Sequence, residues 1–84
     1  MTAPTQDEVF EAIRGSLTKA QAIHPDQVRG DSRFLEDLGI DSLTAVELLA
    51  TLEDRFSIVV SDEDAAALRT VDDAVAYVMS LAGS

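Results

Sequence analysis

The sequence contains no cysteine, and this absence excludes several kinds of chemistry at once. No disulfide can form, no thiolate can bind a metal, and no cysteine can act as a nucleophile. His24 is the one histidine of the chain, so a metal site built on several histidines is also excluded. The acidic residues between Asp62 and Asp73 also fail the EF-hand calcium pattern at Ala66, Ala67 and Asp73. We therefore predict no metal site, and no catalytic site that depends on a thiol of the chain itself.

Long apolar segments are also absent. No run approaches the roughly 18 residues that a membrane-spanning helix needs. The N-terminal segment MTAPTQDEVFEAIR is acidic and lacks the apolar core of a signal peptide. These two features predict a cytoplasmic protein.

Positive charge is scarce: six Lys and Arg residues stand against 16 Asp and Glu residues, for a formal net charge of -10. The imbalance lies almost entirely in residues 31–84, which hold twelve acids and three arginines. Such a surface repels nucleic-acid phosphates and anionic lipids, and it attracts partners with basic patches. We expect no binding to nucleic acid or to a membrane surface.

Eighty-four residues are enough for one small domain, so we treat 1–84 as a single unit. A T-x-x-E capping box at Thr5 and Glu8, followed by apolar residues at helical spacing, predicts a first helix over about residues 6–19. Residues 20–41 then form a long ordered loop with one short helical turn, pinned across the core by apolar side chains. These anchors are Ile23, Val28, Phe34, Leu35, Leu38 and Ile40.

The second helix is predicted to begin at Asp41 or Ser42 and to end near Phe56. Its apolar residues cover a wider arc than one core requires. The core stripe consists of Ala45, Leu48, Leu49, Leu52 and Phe56. A neighbouring apolar face consists of Leu43, Val46 and Ala50.

The rest of the chain predicts a short helix and a longer final one. Ser61 caps the short helix, with Leu68 as its buried anchor, and residues 57–61 before it form an extended loop. Thr70 caps the final helix, whose core stripe is Val71, Ala74, Val75, Val78, Leu81 and Ala82. The predicted fold is therefore all-α: a small bundle of three main helices plus one short helix, with a long ordered loop between helices 1 and 2.

Ser42, in the stretch LGIDSLTAVELL of residues 38–49, is the most informative polar residue. A serine nucleophile needs a base to remove its proton. His24 lies eighteen residues earlier, no lysine follows Lys19, and the G-x-S-x-G elbow of hydrolases is absent. Two readings remain: a plain N-cap at Asp41 or Ser42, or attachment of a phosphate-containing group, which the start of a helix favours.

The motif L-G-I-D-S-L followed by T-A-V-E-L-L, with L-E-D-R-F closing the helix, resembles the acyl carrier protein family. The similarity extends to F-L-E-D-L in the long loop, S-D-E-D at the short helix and T-V-D-D-A-V-A-Y-V in the final helix. This resemblance implies that Ser42, flanked by Gly39, Asp41 and Leu43, carries 4'-phosphopantetheine. A phosphopantetheinyl transferase would attach the group from coenzyme A. The protein would be a non-catalytic carrier whose prosthetic thiol holds acyl groups as thioesters.

The resemblance also implies a docking surface on the second helix, where acidic residues surround a small apolar contact. The expected partners are an acyltransferase, a ketosynthase or other acyl-processing enzymes with basic patches, and the free protein is expected to be a monomer. The matching positions are Asp41, Leu43, Val46, Glu47, Ala50, Glu53 and Asp54.

Three residues bear on the pathway. Thr44 stands where fatty-acid synthase carriers often have an acid, Ala50 is smaller than their usual apolar residue, and Val59 replaces a frequent polar residue. By resemblance, D-S-L-T-A-V-E-L is closer to polyketide carriers, so we predict a role in polyketide or related secondary-metabolite biosynthesis. We expect a discrete protein rather than a module of a megasynthase, because the chain begins at methionine and ends just after the last helix. The alternatives are a fatty-acid synthase carrier, a peptidyl carrier of nonribosomal synthesis, or an unmodified helical adaptor that uses the same face.

Overall fold

A computed structural model describes residues 4–82 and contains four α-helices in that range. The elements are α1 (Gln6–Gln21), a 3₁₀ turn (Pro25–Gln27), α2 (Ser42–Phe56), α3 (Asp62–Ala67) and α4 (Val71–Ala82). The described residues contain no strand, only an isolated antiparallel bridge between Arg33 and Thr70. The all-α prediction is confirmed, with three main helices, one short helix and the long loop between α1 and α2. None of the helices in residues 4–82 is long and apolar enough to span a bilayer.

The core forms around α1, which packs against both α4 and α2. Burying a large aliphatic side chain stabilises a fold by roughly 1.5–3 kcal/mol, so a small set of such residues accounts for most of the favourable energy. The largest fully buried side chains of the core are Val9, Ile13, Leu17, Val28, Leu52, Val71 and Val78. Val28 comes from the long loop, which therefore belongs to the core and is more than a connection.

The buried line of α2 is displaced from the predicted stripe. Thr44, Leu48 and Leu52 are the buried residues of this helix. The other members of the predicted stripe, Ala45, Leu49 and Phe56, are half-buried and pack against the core. Burial of Thr44 is possible because its hydroxyl accepts a hydrogen bond from Nε2 of Gln21 at 3.0 Å. This bond ties the end of α1 to the first turn of α2.

Two residues predicted to be buried are exposed. Leu35 is 70% exposed because residues 33–38 form a helical turn that directs Phe34 and Leu38, but not Leu35, against the core. Leu81 is 37% exposed in the last turn of α4, where Ala82 packs against the core instead. Leu68, predicted to be a buried anchor, is half-buried.

Backbone hydrogen bonds join the long loop to the start of α4. The N–H groups of Val71 and Asp72 donate to the carbonyls of Ser32 and Gly30 at 3.0 and 2.8 Å. Ser32 is itself buried, and its hydroxyl donates to the carbonyl of Gln27 at 3.0 Å. The loop is thus held by paired backbone groups as well as by its apolar side chains.

Two glycines make a matched test of the backbone. Gly39, just before α2, has φ +64°, and Gly15 lies inside α1; a Cβ at either position would meet nothing within 4 Å. Gly39→Ala should destabilise the protein by about 1–2 kcal/mol, because only glycine adopts this conformation without strain. Gly15→Ala should stabilise it by about 0.5–1 kcal/mol. Urea unfolding measures both, and shifts of the same sign would contradict this account.

Candidate functional site

Ser42 is the first residue of α2, and its side chain is free of any structural task. The residue before it, Asp41, is the N-cap: its Oδ1 accepts the N–H of Thr44 at 2.8 Å. Of the two caps that the sequence left open, Asp41 is therefore the one used. Ser42 is exposed, and its hydroxyl has no hydrogen-bond partner among residues 4–82.

The Asp41 carboxylate is held in its charged form. The N–H of Thr44, and next its side chain, lower the pKa of Asp41 below the ordinary value of 3.8. Negative charge at the start of α2 is also favoured by the helix dipole. Asp41 is consequently a poor general base for the neighbouring Ser42 hydroxyl.

An open groove of about 540 Å³ begins at Ser42 and lies between α2, the long loop and the segment after α3. Its surface mixes apolar side chains with charged ones. The lining residues are Arg33, Phe34, Leu35, Glu36, Ile40, Asp41, Ser42, Ala45, Ala66, Leu68 and Arg69. The groove gives a group attached to Ser42 a surface to lie on without any displacement of the helices.

The groove contains no histidine, lysine or tyrosine that could activate Ser42. His24 has a different task, because its Nδ1 accepts the N–H of Asp26 at 3.2 Å in the 3₁₀ turn. No group of three or more Asp, Glu or His side chains within residues 4–82 could hold a metal ion. The site exposes the Ser42 hydroxyl, but the residues that line the groove include no group suited to deprotonate it.

One face of α2 is exposed along its whole length. Leu43 and Val46 are 68% and 63% exposed, and the spacing of Glu47, Ala50 and Asp54 places them on the same face. Five of the predicted docking positions thus form a continuous surface that begins beside Ser42. We call these five residues the α2 face.

Glu53 is placed differently from the other predicted docking acids. It is half-buried, and its Oε2 accepts the N–H of Val60 at 3.0 Å. Glu53 therefore holds the connection between α2 and α3, so its substitution would disturb this loop as well as the surface charge.

Leu35, predicted to anchor the long loop in the core, lies instead at the candidate site. It is 70% exposed and lines the groove together with Ser42. The signal was present in F-L-E-D-L: Phe34 and Leu38 are four residues apart and share one face of a helical turn, which leaves Leu35 on another. The site therefore has an exposed apolar residue in the long loop as well as on α2.

The helix α3 covers a small interior cavity. It has no buried residue of its own, and the Tyr77 hydroxyl on α4 donates a 2.7 Å hydrogen bond to Oδ2 of Asp64 on α3. The apolar cavity has a volume of about 30 Å³ and is lined by Phe34, Ala45, Leu48, Leu49, Ala65, Leu68 and Ala74. One water molecule needs about 10–15 Å³, so the cavity holds only a very short group unless the helices move apart.

Comparison with known proteins agrees with this geometry. The sequence profile of the phosphopantetheine attachment site family matches residues 11–78. The acyl carrier protein of Rhodococcus erythropolis is 42% identical over 79 residues, covering 94% of this chain and 87% of that protein. The meromycolate extension acyl carrier protein of Mycolicibacterium smegmatis is 39% identical over 79 residues, covering 94% and 80% respectively.

A solved structure gives the same result for the fold. The acyl carrier protein from Enterococcus faecalis superposes with a TM-score of 0.79 at 35% identity, covering 93% of this chain and 99% of that one. The chain belongs to the acyl carrier proteins of the phosphopantetheine attachment site family. It is a non-catalytic carrier, and its prosthetic group is phosphopantetheine. The exposed Ser42 hydroxyl and the open groove fit such a group without steric conflict.

The charge of the Asp41 cap predicts a specific pH dependence. Because the pKa of Asp41 is lower in the folded than in the unfolded protein, its contribution to stability is present above the unfolded pKa and is lost as pH falls through the folded value. Wild type should therefore be more stable than Asp41→Asn near neutral pH, and the difference should shrink between about pH 5 and pH 2.

Urea unfolding across this pH range measures the effect. Asp54→Asn serves as the control, because it removes a charge from the same helix without removing the cap. A stability difference for Asp41→Asn that stays constant throughout the acid range would show that the charge of the cap does not matter.

Proposed function

We propose that Ser42 is the attachment site of 4'-phosphopantetheine and that the protein delivers acyl groups bound to this arm. The observation that carries the proposal is that Asp41 performs the capping, which leaves the exposed Ser42 hydroxyl free at the mouth of the groove. Ser42 lies within the range that matches the family profile. Residues 1–84 act as one carrier domain in this proposal, and we expect it to be cytoplasmic and monomeric when free.

The chain's own residues supply attachment and orientation. Gly39 turns the backbone so that Asp41 caps α2, and the start of α2 directs backbone N–H groups and the positive end of the helix dipole toward a phosphate on Ser42. When bound, the prosthetic group supplies the thiol that holds an acyl group as a thioester. The acyl chemistry thus belongs to the arm and to the partner enzymes.

Loading by a promiscuous phosphopantetheinyl transferase tests the attachment site. We expect the wild-type apo protein to gain the mass of one phosphopantetheine from coenzyme A, and Ser42→Ala to gain none. The Ser42→Ala variant should remain folded, because the Asp41 cap does not involve the Ser42 hydroxyl. Intact-mass measurement reads the result.

Ser61→Ala is the matched control, because Ser61 is another exposed serine at the start of a helix. It should be loaded like wild type. No mass gain in wild type, or an equal gain in Ser42→Ala, would rule out Ser42 as the attachment site.

We infer further that the α2 face is the surface that docks on partner enzymes. It combines two exposed apolar side chains, Leu43 and Val46, with the acidic Glu47 and Asp54. Membership in the family implies a phosphopantetheinyl transferase and acyl-processing enzymes as partners. Opposite charge on such partners would accelerate encounter, while the apolar contact would hold the complex.

Charge reversal at Glu47 tests this surface. Glu47→Lys should slow association with a basic partner enzyme by about tenfold at low salt, and added salt should reduce the difference. Asp7→Lys is the control, because it makes the same change of charge in the first turn of α1. That turn lies at the far end of α1 from Gln21, whose side chain contacts Thr44 near Ser42. Stopped-flow kinetics measure both, and equal rate constants for the two variants would contradict docking through the α2 face.

Three classes of biosynthetic pathway use carriers of this kind, and the residues of the chain favour one of them. The residues of α2 favour the polyketide class, and Thr44 and Ala50 carry that prediction. Fatty-acyl elongation is the second candidate, since the relatives include a carrier named for meromycolate extension and others named simply acyl carrier proteins. Loading by acyltransferases rather than adenylation domains would exclude a peptidyl carrier. Full activity of Ser42→Ala would instead support the unmodified adaptor.

A further inference from the structure

The groove beside Ser42 contains Arg69, the one arginine of residues 31–82 that forms neither a salt bridge nor a contact with an aromatic ring. The chain has three arginines in this part. Arg33 pairs with Glu36 and with Asp37, whose Oδ2 lies 3.3 Å from its Nε, and the Arg55 guanidinium lies 6.0 Å from the Phe56 ring. Arg69 lines the groove and forms no salt bridge in the described structure. Its charge is not isolated: the pKa of Asp73 is lowered by the N–H groups of Arg69 and Thr70 and, more weakly, by the Arg69 charge.

The backbone of Arg69 is fixed relative to Ser42. Its carbonyl accepts the N–H of Phe34 at 2.9 Å, and the carbonyl of Phe34 accepts the N–H of Ile40, also at 2.9 Å. On its other side, the N–H of Arg69 donates to Oδ2 of Asp73 at 3.1 Å. Two consecutive hydrogen bonds through Phe34 therefore connect Arg69 to the residue two positions before Ser42.

Negative charge surrounds Ser42, so a nearby cation would stabilise a further anion at this position. Asp41 adjoins it, Glu36 lines the same groove, and residues 31–84 are strongly acidic. A phosphodiester on Ser42 adds one more negative charge to this surface. The guanidinium group suits phosphate oxygens, because its N–H donors are arranged in a planar fork.

We propose that Arg69 pairs with the phosphodiester on Ser42 and thereby directs the prosthetic arm along the groove toward α3. This inference rests on the proposed attachment at Ser42. Arg69 acts as a positioning residue: it orients the arm without taking part in acyl transfer. A carboxylate at the end of a dicarboxylic acyl group is a second anion that could reach a cation in this groove, and the experiment separates the two sources.

A thermodynamic cycle measures the pairing. Thermal unfolding is recorded for apo and holo forms of wild type, Arg69→Gln and Arg29→Gln, after intact mass shows complete conversion. Arg29→Gln makes the same charge change at an exposed loop residue outside the groove. Conversion from apo to holo changes the unfolding temperature. We expect this change to be about 1–5 °C less favourable to the folded state in Arg69→Gln than in wild type, and added salt should reduce the difference.

Arg29→Gln should behave like wild type in this cycle. The ³¹P chemical shift of the holo protein gives an independent readout, and it should differ from wild type in Arg69→Gln but not in Arg29→Gln. The same unfolding series on acetyl and malonyl forms tests the second anion. An Arg69 effect that appears only with the malonyl carboxylate would overturn pairing with the phosphodiester.

The failures of the two proposals can be told apart. Complete conversion with equal midpoint changes and equal ³¹P shifts in all three proteins would overturn the pairing while leaving the attachment at Ser42 intact. An absence of mass gain in wild type would overturn both, because no phosphodiester would form.

Discussion

The two backbone hydrogen bonds of Phe34 hold the functional end of the molecule together. Its N–H bonds to Arg69 and its carbonyl to Ile40, so the long loop, the start of α2 and the segment before α4 form one unit. These groups would be costly to leave unpaired, which makes the arrangement specific. The path of the loop into α2 and the position of the Arg69 backbone both depend on this junction.

Capping and attachment are assigned to neighbouring residues. Asp41 satisfies the first turn of α2, so a group can be added to Ser42 without competing for the hydrogen bond that begins the helix. The same helix divides its surface: Thr44, Leu48 and Leu52 are buried, while the α2 face stays exposed. A single 15-residue helix thus supplies part of the core, the proposed attachment point and the proposed docking surface.

The helices, and the place of Ser42 at the start of α2, could be predicted from the sequence, because capping residues and apolar periodicity are local signals. The features that could not be predicted depend on contacts between distant residues. Burial of Thr44 requires Gln21, 23 positions earlier, and the position of Arg69 depends on backbone pairing with Phe34. The cargo leaves no comparable signal in the sequence, since in the proposed function it is bound to the prosthetic arm and not to a side chain of the protein.

The central claim is that the chain carries its prosthetic group on Ser42, and peptide mapping of the protein from its native host tests it most directly. Trypsin cleavage after Arg33 and Arg55 releases residues 34–55, in which Ser42 is the only serine. Fragmentation of this peptide should locate phosphopantetheine on Ser42. An unmodified peptide 34–55 in the whole population, or phosphopantetheine on any other residue, would contradict the account.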